Sequence, residues 1–225
     1  MSTVLDLYTP ELWARLPAPK VTKGWLTGVG SRETPENACR LLTILAGVTY
    51  SLGYRWRSGG AAGADEAVEK GVLTHPHYRP GESLRNLTLE IYLPWNGFES
   101  IKGGPKKHED VTKGYINSQT LPKYQEARER VLTIHPLRDK LREKQGAWAL
   151  HSRNMFQPLG QDLRTASKNL YCWAPPKGED DVDGGTRTAW QLAKASGIPT
   201  VNLHDGYSQS RILEFLERYA KTVLT

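Results

Sequence analysis

Residues Arg57 to Val72 read RSGGAAGADEAVEKGV. Four small residues, Gly59 to Ala62, stand in a row ahead of Gly63-Ala64-Asp65 and a helix-like run. A core strand needs bulk, and a solvent loop has no use for so many small side chains. Such a stretch is used where backbone must come close to something, either a ligand or another packed element. Its neighbours are informative. Tyr54 to Ser58 before it reads as a short buried strand, and Asp65 to Val72 after it as a helix, so the small residues occupy a strand-to-helix junction.

The same arrangement occurs twice more. Gly24 to Val29 (GWLTGV) reads as a buried strand running into Gly30-Ser31-Arg32 and the helical stretch Pro35 to Leu52, with Thr34 expected as the cap and Pro35 at the first helical position. Asn169 to Trp173 (NLYCW) reads as a strand that, after a polar loop, meets Asp183-Gly184-Gly185-Thr186 and the helix Arg187 to Ser196. Leu89 to Leu93 and Ile198 to Leu203 supply two further strands. A last amphipathic helix, Gln209 to Thr222, sets Ile212, Leu213, Leu216, Tyr219 and Ala220 on one face. Strands alternating with helices in this rhythm predict an α/β fold: a doubly wound, mostly parallel, Rossmann-like sheet.

The rhythm breaks between about 96 and 166. Ser100 to Gly114 (SIKGGPKKHEDVTKG) reads as a polar loop, and Leu121 to Arg164 as helix interrupted at His135-Pro136, because a residue before proline avoids the helical region. The expectation is one domain over 1–225 with this stretch inserted on the rim of the sheet.

The bulk properties narrow the classes. The chain has 225 residues, 38% of them hydrophobic, with 7 Trp and 10 Tyr, which is a globular rather than a disordered composition. The N-terminal MSTVLDLYTPELWARL carries Asp6 and Glu11 where a secretory signal would be apolar. The two cysteines, Cys39 and Cys172, make neither a disulfide framework nor a zinc site. The expectation is therefore a cytoplasmic protein with no membrane attachment, no metal and no cofactor. A net charge of +6 and a pI near 9.3 favour an anionic partner without identifying it as nucleic acid.

In an open parallel sheet, ligands sit at the carboxyl ends of the strands, where loops meet helix N-termini. All three small-residue clusters fall there: Gly28, Gly30 and Ser31; Ser58, Gly59, Gly60, Ala61 and Gly63; and Gly184, Gly185 and Thr186. Glycine lets backbone N–H groups approach a phosphate, and the helix dipole favours its charge. None of the clusters is the GxGxxG or the GxxxxGK[ST] fingerprint, which disfavours dinucleotide dehydrogenases and ATPases.

In this order Gly30-Ser31-Arg32, SGGAAGADEAVEKG, Arg153-Asn154 and GGTRTAWQLA resemble the motifs of the Rossmann-like core of the DNA-processing protein A (DprA/Smf) family. That family belongs to the wider SLOG superfamily, which also holds the cytokinin-activating phosphoribohydrolases and sensors of nucleotide-derived signals. The likeness spans about residues 24 to 205, and the compact layout is similar to stand-alone proteins of phage genomes. It implies a DprA-like nucleotide-binding protein whose ligand is a nucleotide, a nucleotide-derived signal or the phosphates of single-stranded nucleic acid. The likeness also implies a homo-oligomer. Two departures stand out. The family's helix histidine falls at Glu69, and the glutamate of the phosphoribohydrolase PGGxGTxxE motif is replaced by Ala189. The N-terminal helical and C-terminal winged-helix domains of the DNA-processing proteins have no counterpart in the sequence, so recombinase loading is not implied.

Individual residues carry two readings each. Arg32 can clamp a phosphate or pair with Glu33 or Glu36. Asp65 can cap its helix, hold a ribose hydroxyl or act as a base. Glu69, one turn on, shares its face and can be a salt-bridge partner, or with Asp65 can polarise water at a glycosidic bond, the reading that makes the chain a nucleotide N-glycosidase. Arg153, Asn154 and Gln157 share one helix face and can read a base edge or a phosphate. Thr186 offers a hydroxyl and an amide. His135 is a candidate ligand contact, or an exposed or internally satisfied histidine. Trp95, Trp173 and Trp190 can stack a base or pack. Lys102, Lys106, Lys107, His108 and Lys113 form a solvated loop or a lid. For a single-stranded nucleic acid ligand, Arg32, Arg57, Arg153 and the Lys102–Lys113 loop are expected to make one basic track.

Overall fold

A computed structural model of the chain describes residues 2–79 and 88–225. Two short helices, α1 (Ser2–Asp6) and α2 (Pro10–Ala14), precede β1 (Gly24–Gly30), α3 (Glu36–Ser51), β2 (Tyr54–Ser58), α4 (Ala64–Leu73) and β3 (Leu89–Leu93). A hairpin, β4 (Phe98–Glu99) with β5 (Lys106–Lys107), leads to β6 (Tyr115–Asn117) and three helices, α5 (Tyr124–Ile134), α6 (Arg138–Glu143) and α7 (Gln145–Leu159). The chain closes with β7 (Asn169–Trp173), α8 (Thr186–Ala195), β8 (Thr200–Asn202) and α9 (Gly206–Leu224).

The main sheet has six strands in the order β6-β3-β2-β1-β7-β8, and every neighbouring pair is parallel. This is the doubly wound sheet that the alternating pattern predicts. Strand alternation sorts side chains to two cores. Leu26, Trp56, Leu89, Ile91 and Leu93 meet α3 and α4 on one face, where α9 and the N-terminal helices add Leu5, Leu12, Ile212 and Leu216. Val29, Tyr92, Leu170 and Cys172 meet α5, α7 and α8 on the other, against Met155, Phe156, Ala189 and Ala193. The segment that reads as a rim insertion thus contributes the β6 strand beside β3 and the helices that cover the second face.

Three local differences from the sequence reading have simple causes. Helix α3 begins one residue late: Pro35 occupies the capping position without a side-chain acceptor, and the Thr34 hydroxyl donates to the Ser31 carbonyl at 2.6 Å instead of capping. The long helical stretch breaks twice, at His135 before Pro136 and again at Lys144, and ends at Leu159 ahead of Gly160, well short of Arg164. Strand β6 has three residues, too few to show a period of two.

Opposite β3, Arg57 and Glu90 are cross-strand neighbours and a buried ion pair, Nε to Oε2 at 2.7 Å. The remaining valences are filled: Arg57 Nη1 donates to the Thr165 carbonyl, Tyr92 Oη to Glu90 Oε2 at 2.6 Å, and Gln161 Nε2 to Glu90 Oε1. A buried pair needs such satisfaction to persist, and this one ties the turn after α7 to the sheet.

The small residues of the first two junctions are largely explained by packing. A Cβ on Gly28 would overlap Val68 Cγ2 of α4, and one on Gly30 would stand 2.5 Å from Ala64 Cβ. Helix α4 therefore lies directly on β1. Gly28→Ala is expected to cost about 1–3 kcal/mol by overpacking. Val68→Ala, which makes room, should rescue part of that cost in the double variant, and urea unfolding of the two single variants and the double checks it.

Candidate functional site

The chain leaves β1 to one side, through β2, β3 and β6, and then returns to the other side of β1 as β7. Between β1 and β7 lies the topological switch point, where the two flanking connections diverge and open a crevice. A cleft of about 500 Å³ sits there, within the range of about 300–1,000 Å³ typical of small-molecule sites.

Its floor and first wall come from the β1 turn. The Ser31 amide donates to the Trp173 carbonyl at 3.0 Å, and Ser31 Oγ accepts from the Glu33 amide, which folds Gly30-Ser31-Arg32 tightly over the strand ends. Gly63, at φ +81°, carries the second loop against this turn, and a Cβ there would overlap the Ser31 carbonyl. Arg32 is exposed at the rim and makes no ion pair among the described residues, with Glu33, Glu36 or any other carboxylate.

The opposite wall is α7. Arg153 crosses from it to the end of β2, 5% exposed, and Nη1 donates to Asp65 Oδ2 at 3.4 Å and to the Tyr92 carbonyl at 3.3 Å. Its guanidinium occupies the space that a Cβ on Gly59 would fill. The question posed by the small-residue run is answered here for Gly59: what the backbone approaches is Arg153 and Asp65. Asp65 is 3% exposed, and its Oδ2 also accepts from the Ala61 amide at 3.3 Å. Asp65 Oδ1 and Arg153 Nε are buried and make no hydrogen bond among the described residues. Burial pushes the Asp65 carboxyl up to about 6, against the opposing pull of Arg153, the Ala61 amide, Lys107 and the Gly30 amide.

The third side is the α8 N-terminus. Asn154 Nδ2 donates to the Gly185 carbonyl at 3.0 Å and fixes the loop, in which Gly184 has φ +73°. The helix has no side-chain cap at Gly185, which leaves its first-turn amides without a side-chain acceptor, and Gly184, Gly185 and Thr186 line the cleft. A Cβ on Gly184 or Gly185 would meet nothing within 4 Å. Unlike the glycines of the first two junctions, these two are not demanded by packing.

Of the residues expected at a site, Gly30, Ser31, Arg32, Ala61 and Asp65 line the cleft from one side. Arg153, Asn154 and Gln157 line it from α7, and Gly184, Gly185 and Thr186 from α8. Gly28, Ser58, Gly59, Gly60 and Gly63 do not line it and act from behind. Ser58 Oγ donates to the Gly28 carbonyl at 2.7 Å, and a Cβ on Gly60 would stand 3.0 Å from Ile91 Cγ2. Glu69 lies elsewhere: Lys107 Nζ holds its Oε2 at 2.7 Å and the Tyr115 hydroxyl donates to its Oε1, so it forms no carboxylate pair with Asp65 in the cleft. Lys107 is thereby docked on α4, whose Glu66 Oε1 also lies 3.5 Å from its Nζ. Arg57 is buried on Glu90, so neither cation joins a surface track. Trp95, Trp173 and Trp190 are not in the lining; Trp190 Nε1, for one, donates to the Asp180 carbonyl.

His151 lines the cleft and was not legible as a site residue. Its Nδ1 is 2.7 Å from Thr188 Oγ1, and burial first, then His135 and Arg153, lower its pKa to about 4. The only signal was its position three residues before Asn154 on the same helix. Ala189 also lines the cleft.

Among the described residues no cluster of metal ligands forms and no helix is long and apolar enough to cross a membrane. Fold and site together define a doubly wound parallel α/β protein with an arginine-walled crevice at its switch point. No family model and no curated protein matches the sequence. A solved structure of DNA processing protein A from Helicobacter pylori, described for its single-stranded DNA binding mode, is similar with a TM-score of 0.46 and 14% identity, covering 100% of this chain and 84% of that chain.

Asp65 offers a direct check on the electrostatics. Its carboxyl titrates near 3.8 when unfolded and near 6 when folded. Between these values the folded chain keeps a proton that the unfolded chain has lost. The contribution of Asp65 to stability is therefore fully present below 3.8 and is lost as pH rises through 6. Relative to Asp65→Asn, the unmodified chain should lose about 2 kcal/mol between about pH 4.5 and about pH 7.5. Urea melts of both proteins across that range measure it; parallel pH profiles would contradict the assignment.

Proposed function

We propose that the cleft binds a nucleotide or nucleotide-derived molecule, with a phosphoryl group on the α8 N-terminus between Arg32 and Arg153. The observation that carries this reading is the pair of glycines, Gly184 and Gly185, before an uncapped helix at the switch point, with Arg32, which has no counter-ion among the described residues, lining the same cleft. A glycine at 185 without steric or backbone reason, a helix N-terminus without a side-chain cap and an exposed guanidinium together suit an oxyanion. Asp65 Oδ1 and Arg153 Nε, buried and without a hydrogen-bond partner among the described residues, add polar capacity. The motif order Gly30-Ser31-Arg32, Arg153-Asn154, Gly184-Gly185-Thr186 supports the same reading, since its resemblance to the DNA-processing protein A family falls on the cleft walls.

One observation favours a second reading, hydrolysis of an N-glycosidic bond. Asp65 is a carboxyl held near 6 in the cleft, ionised at neutral pH and basic enough to take a proton from water as its oxygen attacks the anomeric carbon and the base departs. Ala189 leaves the position of the phosphoribohydrolase glutamate without a carboxylate, and Glu69 does not supply one, so Asp65 would act without either of them. Binding of single-stranded nucleic acid through a continuous track is the less supported reading, because Arg57 and Lys107 are committed to Glu90 and Glu69.

Calorimetry against nucleoside mono-, di- and triphosphates and short single-stranded oligonucleotides tests these together. A nucleotide should bind with a shallow salt dependence. Arg32→Ala should weaken binding about tenfold or more, the loss of one charge-assisted hydrogen bond. Gly185→Asp, whose Cβ would meet nothing within 4 Å, should abolish binding while leaving the melting temperature in place. If no nucleotide or oligonucleotide binds, or if both variants bind normally, the reading fails. Release of free base that Asp65→Asn abolishes would establish the hydrolase, and steep salt dependence with an oligonucleotide the strand-binding alternative.

A further inference from the structure

Behind the α8 N-terminus lies a side pocket of about 160 Å³, walled by His135 and Leu137 after α5, His151 on α7, Arg187 and Thr188 on α8, and Lys177 on the preceding loop. It shares His151, Asp183 and Gly184 with the main cleft, so the two spaces adjoin across a residue that has no side chain.

The polar groups around it have capacity to spare. Arg187 Nε is fixed on Asp181 Oδ2 at 2.5 Å, which holds the guanidinium in place, while Nη1 and Nη2 make no hydrogen bond among the described residues. Lys177 Nζ stands 3.9 Å from Asp183 Oδ1 and is otherwise solvated. His135 Nδ1 accepts from the Leu137 amide at 3.2 Å, which leaves Nε2 as the protonated nitrogen of the neutral ring. His151 engages Thr188 through Nδ1, and its Nε2 has no partner among the described residues. The two rings meet edge to face with centroids 4.5 Å apart. Two imidazoles, a positioned guanidinium and an ammonium thus converge on a small space that holds one carboxylate, Asp183.

We propose that this side pocket is a second phosphoryl subsite, continuous with the cleft across Gly184, and that the chain prefers a ligand carrying at least two linked phosphoryl groups over a monophosphate. The inference rests on reading the cleft as a nucleotide site. Arg187 would supply the bidentate contact and the histidines the neutral or charged donors.

A consequence is proton coupling. Burial lowers both histidines, with Arg187 acting further on His135, and His135 and Arg153 on His151. The remaining charges facing the pair are Lys177 and Asp183, with Asp181 behind Arg187. An arriving phosphoryl group would reverse that balance and draw a proton onto the pair, so the second group should bind more tightly at lower pH.

The test is calorimetry of adenosine mono- and diphosphate, and of inorganic phosphate and pyrophosphate, at about pH 6 and about pH 8. The inorganic pair makes the outcome independent of the base. The diphosphates should bind at least about tenfold more tightly than their monophosphate counterparts at the lower pH, with proton uptake and a smaller margin at the higher. Arg187→Gln and His135→Gln should each shrink that margin while leaving monophosphate affinity within about threefold. If Arg187→Gln unfolds the α8 loop, as its melting curve would show, His135→Gln alone decides. Equal binding of mono- and diphosphates, or a margin that survives His135→Gln, overturns the subsite and leaves the main cleft reading standing. If none of the four probes binds, both fall.

Discussion

The architecture of the cleft depends on one buried ion pair. Arg153 reaches from α7, on one face of the sheet, over Gly59 to Asp65 in the first turn of α4, on the other face, and its Nη1 also holds the Tyr92 carbonyl. The contact wraps around the carboxyl edge of the sheet and sets the spacing of the two helical layers where the cleft opens. As a source of stability such a pair is poor, since desolvation consumes much of the attraction and similar apolar groups often serve better. At 3.4 Å the contact is also loose, and it leaves one carboxylate oxygen and one guanidinium nitrogen without partners among the described residues. An arrangement that is costly, incomplete and placed at the switch point suits a site better than a core.

The glycines divide by the same logic. At Gly28, Gly30, Gly59 and Gly63 a side chain would strike Val68, Ala64, Arg153 or the Ser31 carbonyl, so these residues let protein approach protein. At Gly184 and Gly185 it would strike nothing. The segment SGGAAGAD is thus mainly a packing device that brings Arg153 and Asp65 into place, whereas in the third cluster what calls for glycine is the left-handed backbone of Gly184, at φ +73°, and no steric contact.

Local signals carried well. Strand, small residues and helix N-terminus are adjacent in sequence, so the three junctions and the parallel sheet could be read directly, as could the face shared by Arg153, Asn154 and Gln157. What failed to show depended on partners distant in sequence. Glu69 looks like a second site carboxylate until Lys107 and Tyr115 claim it. Arg57 looks like a surface cation until Glu90, its cross-strand neighbour, buries it. His151 gains meaning only from Thr188 and His135, which no spacing rule connects to it. Strand β6 and the break at Lys144 were hidden by brevity and by helix-compatible composition.

The central claim is that the amides opening α8 receive an anion. Backbone ¹⁵N–¹H spectra recorded during titration with a nucleoside diphosphate test it most directly, because each amide reports separately. The account predicts the largest shifts at Gly184, Gly185 and Thr186, with accompanying changes at Gly30 to Arg32. Saturable shifts that leave Gly184 to Thr186 unmoved and cluster on another surface would contradict it.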